Sequence, residues 1–126
     1  MLSMNLLFVT LLEAKANVTI IGSVERGTSS IHCYSGDDDL GTHNLAFGQS
    51  FKFSFVPHFW GNTKFFCTFT TQFGSGNYCV FDRRMEYERC GLNCAWYIEE
   101  TGPCLVQNLQ HNLWCQSWKN PKKIVA

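Results

Sequence analysis

Cysteine is the residue type in this chain with the widest chemistry, because a thiolate can bind zinc, attack a substrate or form a disulfide. The 126 residues include seven cysteines: Cys33, Cys67, Cys79, Cys90, Cys94, Cys104 and Cys115. Structural zinc sites use paired short spacings, whereas the only short spacing here is Cys90-x-x-x-Cys94. The four histidines are scattered along the chain. The sequence therefore predicts no metal site.

Disulfides in an oxidising compartment are the use of these cysteines that the sequence favours. Each bridge would restrict the unfolded chain and so stabilise a small domain. Seven is an odd number, so at least one thiol stays free or pairs between molecules. Cysteine spacing alone does not choose among the connectivities.

Other catalytic and ligand-binding motifs are missing from the sequence. It contains no Gly-x-Ser-x-Gly, no phosphate-binding loop and no His-Glu-x-x-His. Asp37, Asp38 and Asp39 are consecutive, whereas calcium loops place carboxylates at alternate positions, so these residues are predicted to form an acidic turn. A hydrolase built on Cys67 or Cys79 with a distant histidine stays a weaker hypothesis. The sequence thus predicts neither an enzyme nor a cofactor.

Composition and charge narrow the class of protein further. Ten basic and ten acidic residues cancel, which argues against a nucleic-acid binder with a broad basic face. Aromatic residues make up 15% of the chain and charged residues only 16%, as expected for a compact domain with much buried surface. The length and the even composition predict one domain.

The N-terminal residues resemble a short signal peptide. An apolar run ends at Leu12, and Ala14-Lys15-Ala16 follows as a small-x-small cleavage pattern. The basic residue that normally precedes such a run is missing. The leader is also short for its class. We expect residues 1–16 to be the signal peptide, 17–118 the domain and 119–126 a polar tail. Asn17-Val18-Thr19 is a glycosylation sequon, which predicts a glycan on Asn17.

The elements that must position these residues are predicted to be strands. In the clearest strand, Phe51, Phe53 and Phe55 alternate with Lys52 and Ser54. The predicted strands are Asn17–Val24, Ser29–Tyr34, Gln49–Val56, Lys64–Thr70, Tyr78–Asp82, Cys94–Glu99, Cys104–Leu109 and Leu113–Trp118. The intervening 74–77 is predicted as a turn, and 82–89 as a charged loop or short helical turn. Strands at this spacing predict an all-β, antiparallel sandwich or barrel.

Several segments, in order, resemble the plant self-incompatibility S-protein homologue family. They are Ile31–Gly41 (IHCYSGDDDLG), Leu45–Phe55, Phe59–Cys67, Cys90, Cys94–Trp96, Gly102–Cys104 and Trp114–Trp118. The resemblance covers nearly all of Val18–Trp118, and the acidic box after His32-Cys33 is its most specific part. Cys79 departs from the pattern, because an aromatic or aliphatic residue is expected there. It is therefore the candidate free thiol.

The resemblance implies a small, secreted, disulfide-stabilised β-sandwich. It also implies a non-enzymatic extracellular signalling ligand, recognised by a cell-surface receptor in pollen rejection or another exchange between cells. The six other cysteines are then the disulfide residues, with Cys67 paired to Cys94, and Cys33 paired to Cys104 or Cys115. The acidic box becomes structural, because a bridge anchors its strand and its aspartates satisfy turn amides.

Specificity for a receptor is expected in exposed loops that such a scaffold holds. The candidate loops are Asp37–Asp39, His58–Asn62, Gln72–Asn77 and Arg83–Arg89. The candidate receptor-facing residues are Asp37, Asp38, Asp39, His58, Trp60, Arg83, Arg84, Glu86 and Arg89. For each residue taken singly, the alternative is a solvated charge without a partner protein.

A second function stays open beside the ligand. A secreted defence protein or cell-wall glycan-binding module would use exposed aromatic rings in a groove. Trp60, Trp114 and Trp118 are the residues to inspect for that function.

Overall fold

The computed structural model describes residues 14–58 and 62–123. Most of the predicted signal peptide, and also Trp60, lie outside these residues. Within the described ranges, no helix has the length and apolar character needed to cross a bilayer.

The described residues form ten strands and one short helical segment. The strands are β1 (Ala16–Gly22), β2 (Ser29–Tyr34), β3 (Asp39–Leu45), β4 (Ser50–Phe55), β5 (Phe65–Thr70), β6 (Gly74–Phe81), β7 (Asn93–Glu99), β8 (Gly102–Gln107), β9 (Asn112–Cys115) and β10 (Asn120–Pro121). Between β6 and β7 lies the helical segment, which consists of helix α1 (Arg83–Met85) and a π-helical turn (Glu86–Cys90).

Two five-stranded sheets contain these strands, in the orders β4-β1-β7-β8-β9 and β10-β6-β5-β2-β3. The all-β, disulfide-stabilised fold is therefore confirmed. The pairing is antiparallel except between β1 and β7, which run parallel. Parallel neighbours need a long connection, and here β2 to β6 supply it.

The core lies between the sheets, because alternate residues of each strand point inward. The first sheet contributes the buried residues Val18, Ile20, Trp96, Ile98 and Leu105, and the second contributes Ile31, Cys33, Cys67, Phe69 and Val80. The indole N–H of Trp96 donates to the Val80 carbonyl at 3.0 Å. This hydrogen bond joins the two sheets and satisfies the one polar atom of a fully buried side chain.

The alternating phenylalanines of β4 pack as the sequence predicts. Phe51, Phe53 and Phe55 are half-buried against the core. The ring of Phe55 lies 4.4 Å from that of Phe65 and 4.8 Å from that of Phe81, between centroids. An edge strand of the first sheet is thus held against the second sheet by aromatic contacts.

Three segments differ from the strand prediction. Strand β3 was not predicted, because it is an exposed edge strand and shows no apolar alternation. Gly41, within β3, has a positive φ of 76°. Gly74–Asn77, predicted as a turn, belongs to β6. Asn120–Pro121, within the predicted tail, pairs with Ser75 and Gly74 as β10.

A close approach explains why the β6 segment contains glycine. A Cβ on Gly74 would lie 2.5 Å from Cγ of Trp118, closer than such atoms approach in proteins. Trp118 is buried there, and its indole N–H donates to the Glu100 carbonyl at 2.8 Å. The chain between β9 and β10 is therefore anchored as it crosses from one sheet to the other.

Three disulfides join Cys33 to Cys67, Cys90 to Cys94 and Cys104 to Cys115, and Cys79 keeps a free thiol. The pairings that the family resemblance implied are wrong. Cys33 and Cys67 lie directly opposite each other on β2 and β5, and Cys104 and Cys115 do so on β8 and β9. Cys94, in the other sheet, is paired with Cys90. Strand register thus accounts for two of the three bridges, and closeness along the chain for the third.

The three bridges are predicted to differ in what they contribute to stability. They span 34, 4 and 11 residues for Cys33–Cys67, Cys90–Cys94 and Cys104–Cys115. In the chain-entropy model, replacing both cysteines of each bridge by alanine costs about 4, 2 and 3 kcal/mol respectively. Urea unfolding of the three double variants without reductant measures the order. An equal loss in all three would contradict it.

Candidate functional site

Two of the predicted loops and the helical segment meet at one end of the sandwich. We call this surface the loop end; it comprises residues 35–38, 56–58 and 62–64, and the helical segment. Asp37, Asp38, His58 and Lys64 line one cleft of about 270 Å³ there. The remaining predicted loop, Gln72–Asn77, begins at the opposite end, where Gln72 Nε2 donates to the Arg26 carbonyl at 2.9 Å, and its residues 74–77 belong to β6.

The acidic turn is closed by Ser35 rather than by its aspartates. The Ser35 hydroxyl accepts hydrogen bonds from the backbone N–H groups of Asp37 and Asp38, at 3.3 and 3.1 Å. The Ser35 N–H in turn donates to the Asp38 carbonyl at 2.8 Å. The expectation that these aspartates satisfy the turn amides is therefore wrong for Asp37 and Asp38. Their carboxylates are exposed and available to a partner.

Asp39 has a different environment from its two neighbours. Its Oδ1 accepts from the Gly41 N–H at 2.9 Å and lies 2.6 Å from His32 Nε2. These two contacts, the Gly41 amide first, hold the pKa of the Asp39 carboxyl below its ordinary value. The side chain of Asp39 thus stabilises the β2–β3 pair, and it is the one aspartate of the box that accepts a turn amide.

Arg83 connects the helical segment to the neighbouring loop. Its Nη2 donates to the His58 carbonyl at 2.8 Å, and its Nη1 lies 3.2 Å from Glu86 Oε1. Asp82 caps the segment by accepting from the Met85 N–H at 2.7 Å. The loop that contains His58 is thereby held against the helical segment. Trp60, in the same predicted loop, lies outside the described residues.

Arg84 and Arg89 line a second and larger cleft, of about 460 Å³, beside the loop end. We call it the basic cleft; β6, β9, the chain between β9 and β10, and the helical segment form its walls. The Arg89 guanidinium carbon lies 3.9 Å from the centre of the Trp114 ring, and Lys119 Nζ lies 4.7 Å from that of Tyr78. Sequence reasoning missed this cleft, because its residues come from segments that only the topology brings together.

Cys79 lines the basic cleft in a form that does not suit nucleophilic catalysis. Burial, and then the Asp82 carboxylate, raise the pKa of its thiol to about 11. The thiol donates to the Phe81 carbonyl at 3.5 Å and contacts Asp82 Oδ2 at 3.7 Å. No histidine within residues 14–58 and 62–123 lines this cleft, and Cys67 is in a disulfide. Neither cysteine of the hydrolase hypothesis is placed as an activated nucleophile.

The predicted glycosylation residue is part of a side-chain network on the outer face of the first sheet. Asn17 Nδ2 donates to Asn93 Oδ1 at 3.0 Å, and Asn17 Oδ1 accepts from the Ser54 hydroxyl at 2.5 Å. The glycan on Asn17 stays a prediction. Among the residues that the structure describes, no three His, Cys, Asp or Glu side chains are grouped to hold a metal ion.

The raised pKa predicts that Cys79 reacts slowly in the folded protein. At pH 8 its thiolate fraction is far below that of an ordinary cysteine, so iodoacetamide should label the native protein at least tenfold more slowly than the unfolded, unreduced protein. The native rate should rise steeply as the pH approaches 11. Mass spectrometry counts the labels. Equal rates in both states at pH 8 would contradict the prediction.

Comparison with known proteins supports the family resemblance that the sequence motifs indicated. The family model for plant self-incompatibility protein S1 matches residues 17–118. The chain is 33% identical to S-protein homolog 5 of Arabidopsis thaliana over 102 residues, covering 81% of this chain and 77% of that protein. No solved structure matches.

Two other relatives from the same plant match over spans of 114 and 96 residues. S-protein homolog 19 is 32% identical over 114 residues, covering 87% of this chain and 82% of the relative. S-protein homolog 3 is 35% identical over 96 residues, covering 72% of this chain and 63% of the relative. The chain belongs to the plant self-incompatibility protein S1 family, the S-protein homologues.

Proposed function

We propose that this protein is a secreted, non-enzymatic signalling ligand and that a cell-surface receptor recognises its loop end. The observation that carries the proposal is the meeting of Asp37, Asp38, His58 and Arg83 at one end of a cross-linked β-scaffold. Membership of the self-incompatibility family supports it. Pollen rejection is one such exchange between cells, and other plant cells are equally suitable sources of the receptor.

Two of the disulfides border the loop end and support a preorganised surface. Cys33–Cys67 joins β2, which leads into the acidic turn, to β5, which follows the His58 loop. Cys90–Cys94 closes the chain directly after the helical segment. A surface that is already ordered loses little conformational entropy when a partner binds. The bridges therefore favour recognition by a fixed shape.

The charges of the loop end suit selective recognition. Asp37 and Asp38 present exposed carboxylates on one side, while Arg84 and Glu88 form an exposed pair at 2.9 Å on the other. Charges of both signs across a surface contribute more to association rate and partner choice than to affinity. The exposed Arg84–Glu88 pair contributes little to folding, so both side chains can exchange partners.

The chemistry of the cysteines supports a non-enzymatic role outside the cell. Three disulfides are favoured in an oxidising compartment. The single free thiol has its pKa raised to about 11, the opposite of what nucleophilic catalysis at neutral pH needs.

Among the described residues, the alternative, a defence or cell-wall glycan-binding module, rests on Trp114. Trp118 is only 6% exposed, because its ring packs against Gly74. It therefore offers no ring face to a ligand. Trp114 is half-buried and lines the basic cleft. That position favours a binding role for this cleft in addition to the receptor surface.

Receptor recognition predicts that the acidic turn contributes to binding. Changing Asp37→Lys and Asp38→Lys together reverses the charge of one side of the loop end, and binding to the responding cells should weaken about tenfold or more. Competition against the labelled parent protein on pollen or other plant cells measures this. Glu25→Lys with Glu100→Lys, exposed residues outside the loop end, is the matched control. Saturable binding that both double variants retain equally would exclude the acidic turn from the interface.

Secretion predicts the covalent state of the protein. Material released by plant cells should begin at Asn17, contain three disulfides and one thiol, and have added glycan mass if the Asn17 sequon is used. β1 begins at Ala16, and the backbone N of Asn17 donates to the Leu92 carbonyl at 2.7 Å, so a start at Asn17 keeps that contact. Mass spectrometry without reduction measures all three properties. Material retained in the cytosol with seven reduced thiols would exclude secretion.

A further inference from the structure

The basic cleft has a positive lining that counter-charges offset only in part, because Arg84 pairs with Glu88 at 2.9 Å, while Arg89 and Lys119 form no ion pair among the described residues. Arg84, Arg89 and Lys119 contribute cations to its walls, and Asp82 contributes the one carboxylate among the lining residues. The Asp82 carboxylate keeps its charge but faces neutral groups, because Oδ1 accepts from the Met85 N–H and Oδ2 contacts the Cys79 thiol. The described lining therefore has an excess of positive charge at Arg89 and Lys119. The charge in the cleft therefore favours an anionic ligand.

Two of these cations are held in place by aromatic rings rather than by counter-charges. Arg89 lies 3.9 Å over Trp114 and also donates to Gln107 Oε1. Lys119 lies 4.7 Å from the Tyr78 ring centre. A cation–π contact orients the charge without neutralising it, so part of the ordering cost of ligand binding is met in the free protein. Lys119 uses one of the three donors of its ammonium group on the Asn77 carbonyl. The other two are available to a ligand.

We infer that the basic cleft binds a uronate-bearing oligosaccharide. The planar guanidinium of Arg89 matches the two oxygens of a carboxylate. The Gln116 carboxamide and the ring of Phe66 also line the cleft, as does Trp114, one face of which Arg89 covers. A chain of hexuronate residues offers the complementary groups: a carboxylate on each ring, hydroxyls for the amide, and apolar ring faces for the aromatic side chains. The open volume of about 460 Å³ accommodates a short oligosaccharide segment.

The same walls disfavour an acidic peptide added as an extra strand. Strand addition needs free backbone groups along a sheet edge. On the exposed side of β6, Gly74 and Ser75 already pair with β10, and the Asn77 carbonyl accepts from Lys119. The Ser117 carbonyl, on the crossing chain, accepts from the Tyr78 hydroxyl at 2.8 Å. At these positions side chains rather than backbone therefore present the binding groups, which suits a saccharide.

Calorimetric titration of the intact, oxidised protein with an oligogalacturonide of defined length tests the inference. Two comparison ligands separate its parts: the fully methyl-esterified oligosaccharide, which has no charge, and a poly-glutamate peptide with the same number of carboxylates. The free oligogalacturonide should bind at least tenfold more tightly than either. Its affinity should fall as the salt concentration is raised, because the cleft is open to solvent.

Variants test whether the oligogalacturonide binds in the basic cleft. Lys119→Gln and Arg89→Gln should each weaken oligogalacturonide binding about fivefold or more. Arg26→Gln and Lys52→Gln remove the same charge from exposed positions outside the cleft and should change affinity less than twofold. Because Arg89 also covers Trp114, its variant is accepted only if its thermal unfolding matches that of the parent. If the Arg89 variant fails this criterion, Lys119→Gln still tests the inference, because Lys119 is exposed.

Three results would overturn the inference. They are no saturable binding of the oligogalacturonide, equal binding of poly-glutamate or of the methyl ester, and equal losses in cleft and control variants. This inference does not rest on the proposed signalling role. The receptor competition on cells uses the loop end, so either result can fail without the other.

Discussion

The disulfide between Cys33 and Cys67 is the constraint on which most of the structure depends. It links β2 to β5 in the interior of the second sheet, where both side chains are fully buried. Of the three bridges it closes the longest loop, so it removes the most freedom from the unfolded chain. Ser35, which closes the acidic turn, lies two residues after Cys33, and the His58 loop leads into β5. A covalent link in the core thus determines the shape of the exposed end.

The two clefts use this scaffold in different ways. At the loop end, short turns project from covalently joined strands, so their carboxylates and cations are displayed to the solvent. The basic cleft instead lies along the open side of the sandwich, where the chain crosses between sheets and Trp118 anchors it. Its cations are ordered by the rings of Trp114 and Tyr78. One small domain therefore presents two surfaces, the loop end and the basic cleft, that share the helical segment, and mutations outside that segment, at Asp37 and Asp38 or at Lys119, separate them.

Much of the fold could be predicted because strand periodicity is a local property. The alternation of Phe51, Phe53 and Phe55 predicted β4 and its inward face, and the structure agrees. The exposed edge strand β3 gave no such signal, because few of its side chains enter the core. Glycines at 74 and 76 indicated a turn, yet they belong to β6, where Gly74 makes room for Trp118. A partner distant in sequence overrode the local preference.

The amino-acid sequence by itself determined the all-β class, the likeness to the S-protein homologues and the presence of an acidic turn, because these depend on residue types and short spacings. Only the tertiary structure decided which cysteines pair, since Cys33 meets Cys67 through strand register across β2 and β5. It also decided that Arg89, Trp114 and Lys119 share one cleft. Register and sheet order are properties of long-range packing, and no local pattern in the chain encodes them.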